Sequence, residues 1–151
     1  MSEEEVSTLA RFAMPGAFRG LVNGCRAQLP ADAYVLTQGD ALQARLEASA
    51  TGAQDAAIAA FMEMGMTDDP GMGEVLGNMP PSVLGPFLNE MVAGMVATQI
   101  KPEQCVTADR ALALLDPLPP ENLAALLGLI VVEMQKDDTE EAPEAAEAEV
   151  K

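Results

Sequence analysis

At 151 residues the chain is long enough for one domain that buries about two-thirds of its unfolded surface, and an apolar content of 49% suits a globular protein. Twenty-four acids against eight bases leave a net charge of −16, a field that repels phosphate backbones and anionic lipid and so disfavours nucleic acid as a partner. Histidine is absent, which removes the commonest general base and metal ligand, and aromatics amount to only 3%, so the core has to rest on Leu, Val, Met and Ala.

In chain order, Ser2 and Glu5 form a capping-box pair in front of Val6, Leu9, Ala10 and Ala13, a helical series that the spacing ends at Pro15-Gly16. A second helix is predicted over Ala17 to Gln28, with Phe18, Leu21, Val22, Cys25 and Leu29 on one face and Arg19 and Arg26 outward. Pro30 opens a short helical segment through Tyr34 and Leu36, broken at Gly39, and Asp40 caps a helix carrying Leu42 and Leu46. After the Thr51-Gly52 turn, Ile58, Phe61 and Met62 mark an amphipathic face that Gly65 ends. Asp69 before Pro70 predicts a capped, glycine-interrupted helix to about Asn78.

Ser82 starts a longer helix whose stripe of Leu84, Phe87, Leu88, Met91, Val92 and Met95 is expected to be buried, with Pro86 near its first turn. Pro102 restarts the helix of Val106, Leu112 and Leu115, which ends at Pro117, Pro119 and Pro120. From Glu121 to Gln135 the chain is apolar nearly all round, the pattern of a central, enclosed helix. No segment alternates as a strand would. The fold class is therefore all-α, a bundle of about seven or eight helices over residues 1–136, with Glu121 to Gln135 and Ser82 to Val96 at its centre. The remainder, 137–151, holds seven acids and one Lys, and is expected to be a flexible acidic tail. Met79-Pro80-Pro81 recurs as Leu118-Pro119-Pro120, an offset of 39, which suggests two helical-hairpin repeats at about 66–97 and 105–136.

Compartment and redox expectations follow from the same residues. SEEE at the start has neither a basic n-region nor an apolar h-region, and Leu123 to Val132 is about half the length of a membrane span, so no span and a cytoplasmic location are expected. Cys25 and Cys105 lie eighty positions apart with no zinc spacing, among apolar neighbours that suit buried reduced thiols better than a disulfide.

The candidate site is methionine-rich. Phe61, Met62, Met64, Met66, Met72, Met79, Met91 and Met95 cluster among helix-breaking glycines and prolines, and flexible thioethers suit a groove that accepts an apolar partner segment. Glu63, Asp68, Asp69 and Glu74 would favour basic residues on that partner. The plain alternative is that these methionines fill a loosely packed core. Met62-Glu63-Met64-Gly65-Met66 also spells a Cu(I)-type MxMxM spacing, but a continuous helix would splay Met62 from Met64 by about 200° and there is no histidine or export signal. Asp68, Asp69 and Glu74 lack the full cation-loop ladder, and no metal or cofactor is predicted. Arg11, Arg19 and Arg26 form the only acid-free basic stretch, a candidate for docking the acidic tail or another anion. The expected function is a non-catalytic interaction module (adaptor, small chaperone or accessory subunit) with a basic amphipathic protein partner. Its alternatives are a self-associating assembly subunit and, less favoured, a carboxylate-based metal-dependent enzyme.

Overall fold

A computed structural model describes residues 1–64 and 69–149, with side chains as far as residue 138 in the last helix. The capping box forms as its spacing requires: Ser2 Oγ accepts the Glu5 N–H at 3.2 Å and a Glu5 carboxylate oxygen accepts the Ser2 N–H at 2.7 Å. Helix α1, Glu3–Cys25, then runs straight through the expected break, so what was read as two helices is one. Pro15 has no N–H for the helix ladder. The next donor, Gly16 N–H, is satisfied from outside by Asn89 Oδ1 at 2.9 Å. A neighbouring helix thus supports the backbone where the proline weakens it.

That neighbour is α6, Pro81–Gln99. It packs parallel to α1 in one register: Gly16 lies against Asn89, Gly20 against Ala93, and Gly24 against Ala97 and Ile100. The fit depends on missing side chains. A methyl at Gly16 would come within 2.4 Å of the Asn89 carbonyl oxygen, one at Gly20 within 2.3 Å of the Ala93 carbonyl oxygen, and one at Gly24 within 2.7 Å of Ile100 Cγ2.

Between them the chain forms α2 (Tyr34–Thr37), α3 (Gly39–Thr51), α4 (Gln54–Glu63) and α5 (Pro70–Gly77). Helix α5 begins as predicted, Asp69 Oδ1 accepting the Gly71 N–H at 2.9 Å with Pro70 behind it. Helix α3 does not. Gln38 stands at its N-cap without a side-chain bond and Asp40 falls in the first turn, because α2 ends directly against it and leaves no extended residue for a cap. Gly65, expected to end α4, lies outside the described residues, and α4 itself ends at Glu63. Helices α7 (Cys105–Leu115) and α8 (Pro120–Glu149) complete an all-α fold of eight helices, with no strand among the described residues.

Two apolar clusters hold this together. Phe12 of α1 meets Ala53, Ala57, Leu76, Leu84 and Leu88, and Phe18 meets Val35, Leu42 and Leu46. Both clusters are keyed to α1, which also carries the α6 seam and packs along α8, so α1 is the central element. The expectation that Glu121 to Gln135 is enclosed is corrected: only Ala124 and Gly128 of that stretch are buried, Leu123 is half-buried, and Leu126, Leu127 and Leu129 are exposed.

The cysteines are also corrected. Cys25 and Cys105 form a disulfide, with Cα atoms 5.4 Å apart. The parallel α1–α6 packing places the ends of both helices together, and Cys105 follows Ile100 by one short turn, which closes the eighty-residue separation. The two proline turns at offset 39 have matching hydrogen bonds: the Pro80 carbonyl accepts from Val83 and Leu84, and the Pro119 carbonyl from Asn122 and Leu123. Each is preceded by a shorter helix and followed by a longer one that leans on α1. The acidic segment expected to be a flexible tail continues α8 in backbone to Glu149. Its side chains from residue 139, and Val150 and Lys151, lie outside the described residues.

Candidate docking surface

Helix α8 meets α1 through its smallest residues. Ala124 is fully buried, and a methyl on Gly128 would lie 2.8 Å from the Glu3 carbonyl oxygen. Close approach of two backbones therefore chooses the inward face, and the large side chains are turned away. Leu126, Leu127, Leu129 and Ile130 are exposed, and Met134 is 62% exposed. Helix α6 repeats the arrangement. Its inward positions include Gly85 and Ala93, while Val83, Phe87, Met91 and Met95, each four residues on, form an exposed stripe. The buried stripe predicted for α6 is thus only partly right: Leu84 and Leu88 are enclosed, and Phe87, Met91 and Met95 are not.

At offset 39 three positions of the two exposed rows coincide, Phe87 with Leu126, Met91 with Ile130 and Met95 with Met134. Isolated apolar side chains on a surface are ordinary, but contiguous rows on packed helices mark interaction faces. The acidic segment of α8 follows its apolar row directly, beginning at Asp137 and Asp138.

The methionine-rich region is less unified than its sequence suggests. Phe61 and Met79 are partly buried against the Phe12 cluster and belong to the core. Met62 crosses from α4 to lie over α5, its Cε 3.5 Å from where a Gly77 methyl would stand, and remains half-exposed. Met64 borders a cavity of about 600 Å³ with Met1 and Leu9, while Met72 is exposed beside Val75. Met66 lies outside the described residues, as does Asp68. Among the described residues no group of three or more His, Cys, Asp or Glu side chains could hold a metal ion.

The three arginines have separate fates. Arg11 donates to Ser49 at the α1–α3 contact, from Nε to Oγ at 3.3 Å and from Nη2 to the carbonyl at 3.0 Å. Ser49 in turn donates to a Glu121 carboxylate oxygen at 2.9 Å. That carboxyl is held below its ordinary range by a backbone N–H, by Ser49 and by the charge of Arg11. Arg19 pairs with Glu90 of α6 at 2.5 Å. Arg26 makes no ion pair among the described residues.

A second polar group fixes the α7 side of the α7–α8 hairpin. Asp109 of α7 accepts the N–H groups of Tyr34 and Val35, at 3.3 and 2.8 Å, so it caps α2 from another helix. Asp116, just past α7, accepts the Tyr34 hydroxyl and pairs with Arg45 at 2.5 Å. Sequence reading missed the α8 face. The available signal was the Ala124–Gly128 pair, four residues apart, which outcompetes leucine for a close backbone contact.

The chain matches no protein-family model, no curated protein and no solved structure. No helix among the described residues is long and apolar enough to cross a membrane.

Proposed function

We propose that the protein is a non-catalytic interaction module that docks an amphipathic helix with basic flanks. The observation that carries this is the inverted packing of α8: small residues face in, while Leu126, Leu127, Leu129, Ile130 and Met134 face out. A partner helix laid along α8 would meet this row and then the acids that begin at Asp137, so apolar contact supplies affinity and charge sets direction. Met91 and Met95 on α6 offer adaptable apolar contacts of the same kind. The groove expected at the methionine cluster is thereby relocated toward the two long helices.

A second reading, self-association, is favoured by the four-residue spacing of the rows, which two copies could share across a two-fold axis. The compartment depends on the cross-link. Cys25 and Cys105 would be thiols in a reducing cytoplasm and a disulfide in an oxidising space, so the cytoplasmic expectation stands or falls with the redox state of this pair.

The test is titration with two synthetic amphipathic helices of equal apolar face, one flanked by Lys and one by Glu. The Lys peptide is expected to bind, more weakly in high salt, and Ile130→Glu is expected to remove binding without changing helical content. Equal binding of both peptides, or indifference to Ile130→Glu, would reject the docking face. A concentration-dependent dimer that Ile130→Glu dissociates would select the second reading.

A further inference from the structure

Apart from the apolar rows, a cavity of about 610 Å³ opens between α1, α2 and α3. Its volume is that of a small-molecule site. Phe18 and Val22 of α1 and Val35 and Leu36 of α2 give it an apolar wall. Arg19 on α1 and Arg26 just past its end stand on the border, in a stretch of chain without acids from Val6 to Ala31. This is unusual ground in a protein of net charge −16.

The polar groups around the cavity have hydrogen-bonding capacity left over. Arg19 gives one Nη to Glu90, but its Nε is buried with no acceptor. Gln43 gives its amide N–H to Glu47 at 2.8 Å, which leaves its Oε1 buried with no donor. The Arg26 side chain makes no hydrogen bond or ion pair among the described residues. With Arg19 already paired to Glu90, Arg26 is the one cation left on the border, and the Asp40 carboxylate that shares the border offsets it in part, so the site suits no more than a single negative charge.

We infer that this cavity binds a small amphipathic monocarboxylate, with its apolar body against Phe18, Val22, Val35 and Leu36 and its head group on Arg26. A carboxylate gives the exposed Arg26 guanidinium a charge-assisted, bidentate partner in place of water, which an uncharged head group does not, and a cationic one would be repelled by it.

The experiment uses the full chain and three probes of equal chain length: decanoate, decanol and decyltrimethylammonium, each below its micellar concentration, followed by calorimetry. Decanoate is expected to bind saturably at one site per chain and more tightly than the other two. Arg26→Ala is expected to weaken it about tenfold, the loss of one charge-assisted hydrogen bond. Arg26 forms no internal ion pair, so the variant should fold, and unchanged far-ultraviolet dichroism checks this. Ile130→Glu should leave decanoate binding unchanged, which separates this site from the α8 row. Equal affinity for decanol, tighter binding of the cation, or loss of binding in Ile130→Glu but not in Arg26→Ala would each overturn the assignment.

Discussion

The two proline-linked hairpins, α5–α6 and α7–α8, have the same order of elements and the same hydrogen bonds at their turns, yet they are held in the fold by different forces. The first is held by apolar burial: Leu76, Leu84 and Leu88 close over Phe12 and Ala57, and α6 lies in the glycine seam of α1. The second is held by the small Ala124–Gly128 face of α8 against α1 and by tethers near its beginning. Cys105 is cross-linked to α1, Asp109 caps α2, Asp116 joins Tyr34 and Arg45, and Glu121 meets Ser49. The equivalent leucines show the difference most directly, Leu88 being 5% exposed and Leu127 42% exposed. A hairpin secured by tethers and by a small-residue face does not have to spend its large apolar side chains on its own core, and those of α8 stay exposed.

The largest way to break this comparison is to cut the cross-link. The disulfide closes a loop of eighty residues, and the chain-entropy treatment assigns a loop of that size about 4 kcal/mol of stability. Cys25→Ser with Cys105→Ser should lower the denaturant midpoint accordingly. Amide exchange should rise more in α7 and α8 than in α5 and α6, because the covalent tie serves the second hairpin. Uniform loss of protection across both would contradict the division of labour.

Truncating the equivalent leucines sharpens the same point. Leu88→Ala empties a filled site and should cost about 3 kcal/mol. Leu127→Ala removes a side chain that is 42% exposed and should cost less than about 1 kcal/mol. Urea unfolding of the two variants measures both. Similar costs would mean that α8's outer row is covered, and the docking face would go with it.

Which of these features could be read in advance depended on how far each signal reached. Ser2 with Glu5, and Asp69 with Pro70, act within one helical turn, and both caps formed where their spacing placed them. The fold class and the two proline turns were legible for the same reason. Pro15 was misread because its remedy, Asn89, is seventy-three positions away. Cys25 and Cys105 were misread because only the parallel α1–α6 register joins them. The burial of α8 was misread for a subtler cause. Its hydrophobicity runs nearly all round, so periodicity could not choose a face, and the choice fell to Ala124 and Gly128 through backbone contact with α1. For the candidate site, the exposed Met62 and Met72 fit a surface made of broken helices, whereas Met91 and Met95 belong to the stripe that periodicity assigned to the core and are exposed instead. Their division among core, cavity and outer row depended on tertiary contacts.

The smallest effect is the most direct probe of the tethers, because the chain contains a single tyrosine. Partial burial of Tyr34, and then donation of its hydroxyl to the Asp116 carboxylate, push its pKa up to about 12, with Arg45 opposing. A phenol raised in the folded state contributes stability that is complete below its ordinary value near 10 and is lost as pH rises through about 12. Tyrosinate absorbance should therefore titrate late in the native protein and at the ordinary position in denaturant. Asp116→Asn removes the charge and keeps the burial, so it should bring the midpoint only part of the way down. A native midpoint near 10 would show the hydroxyl free of Asp116, and the turn between α7 and α8 would then lack one of the ties that let its apolar row face outward.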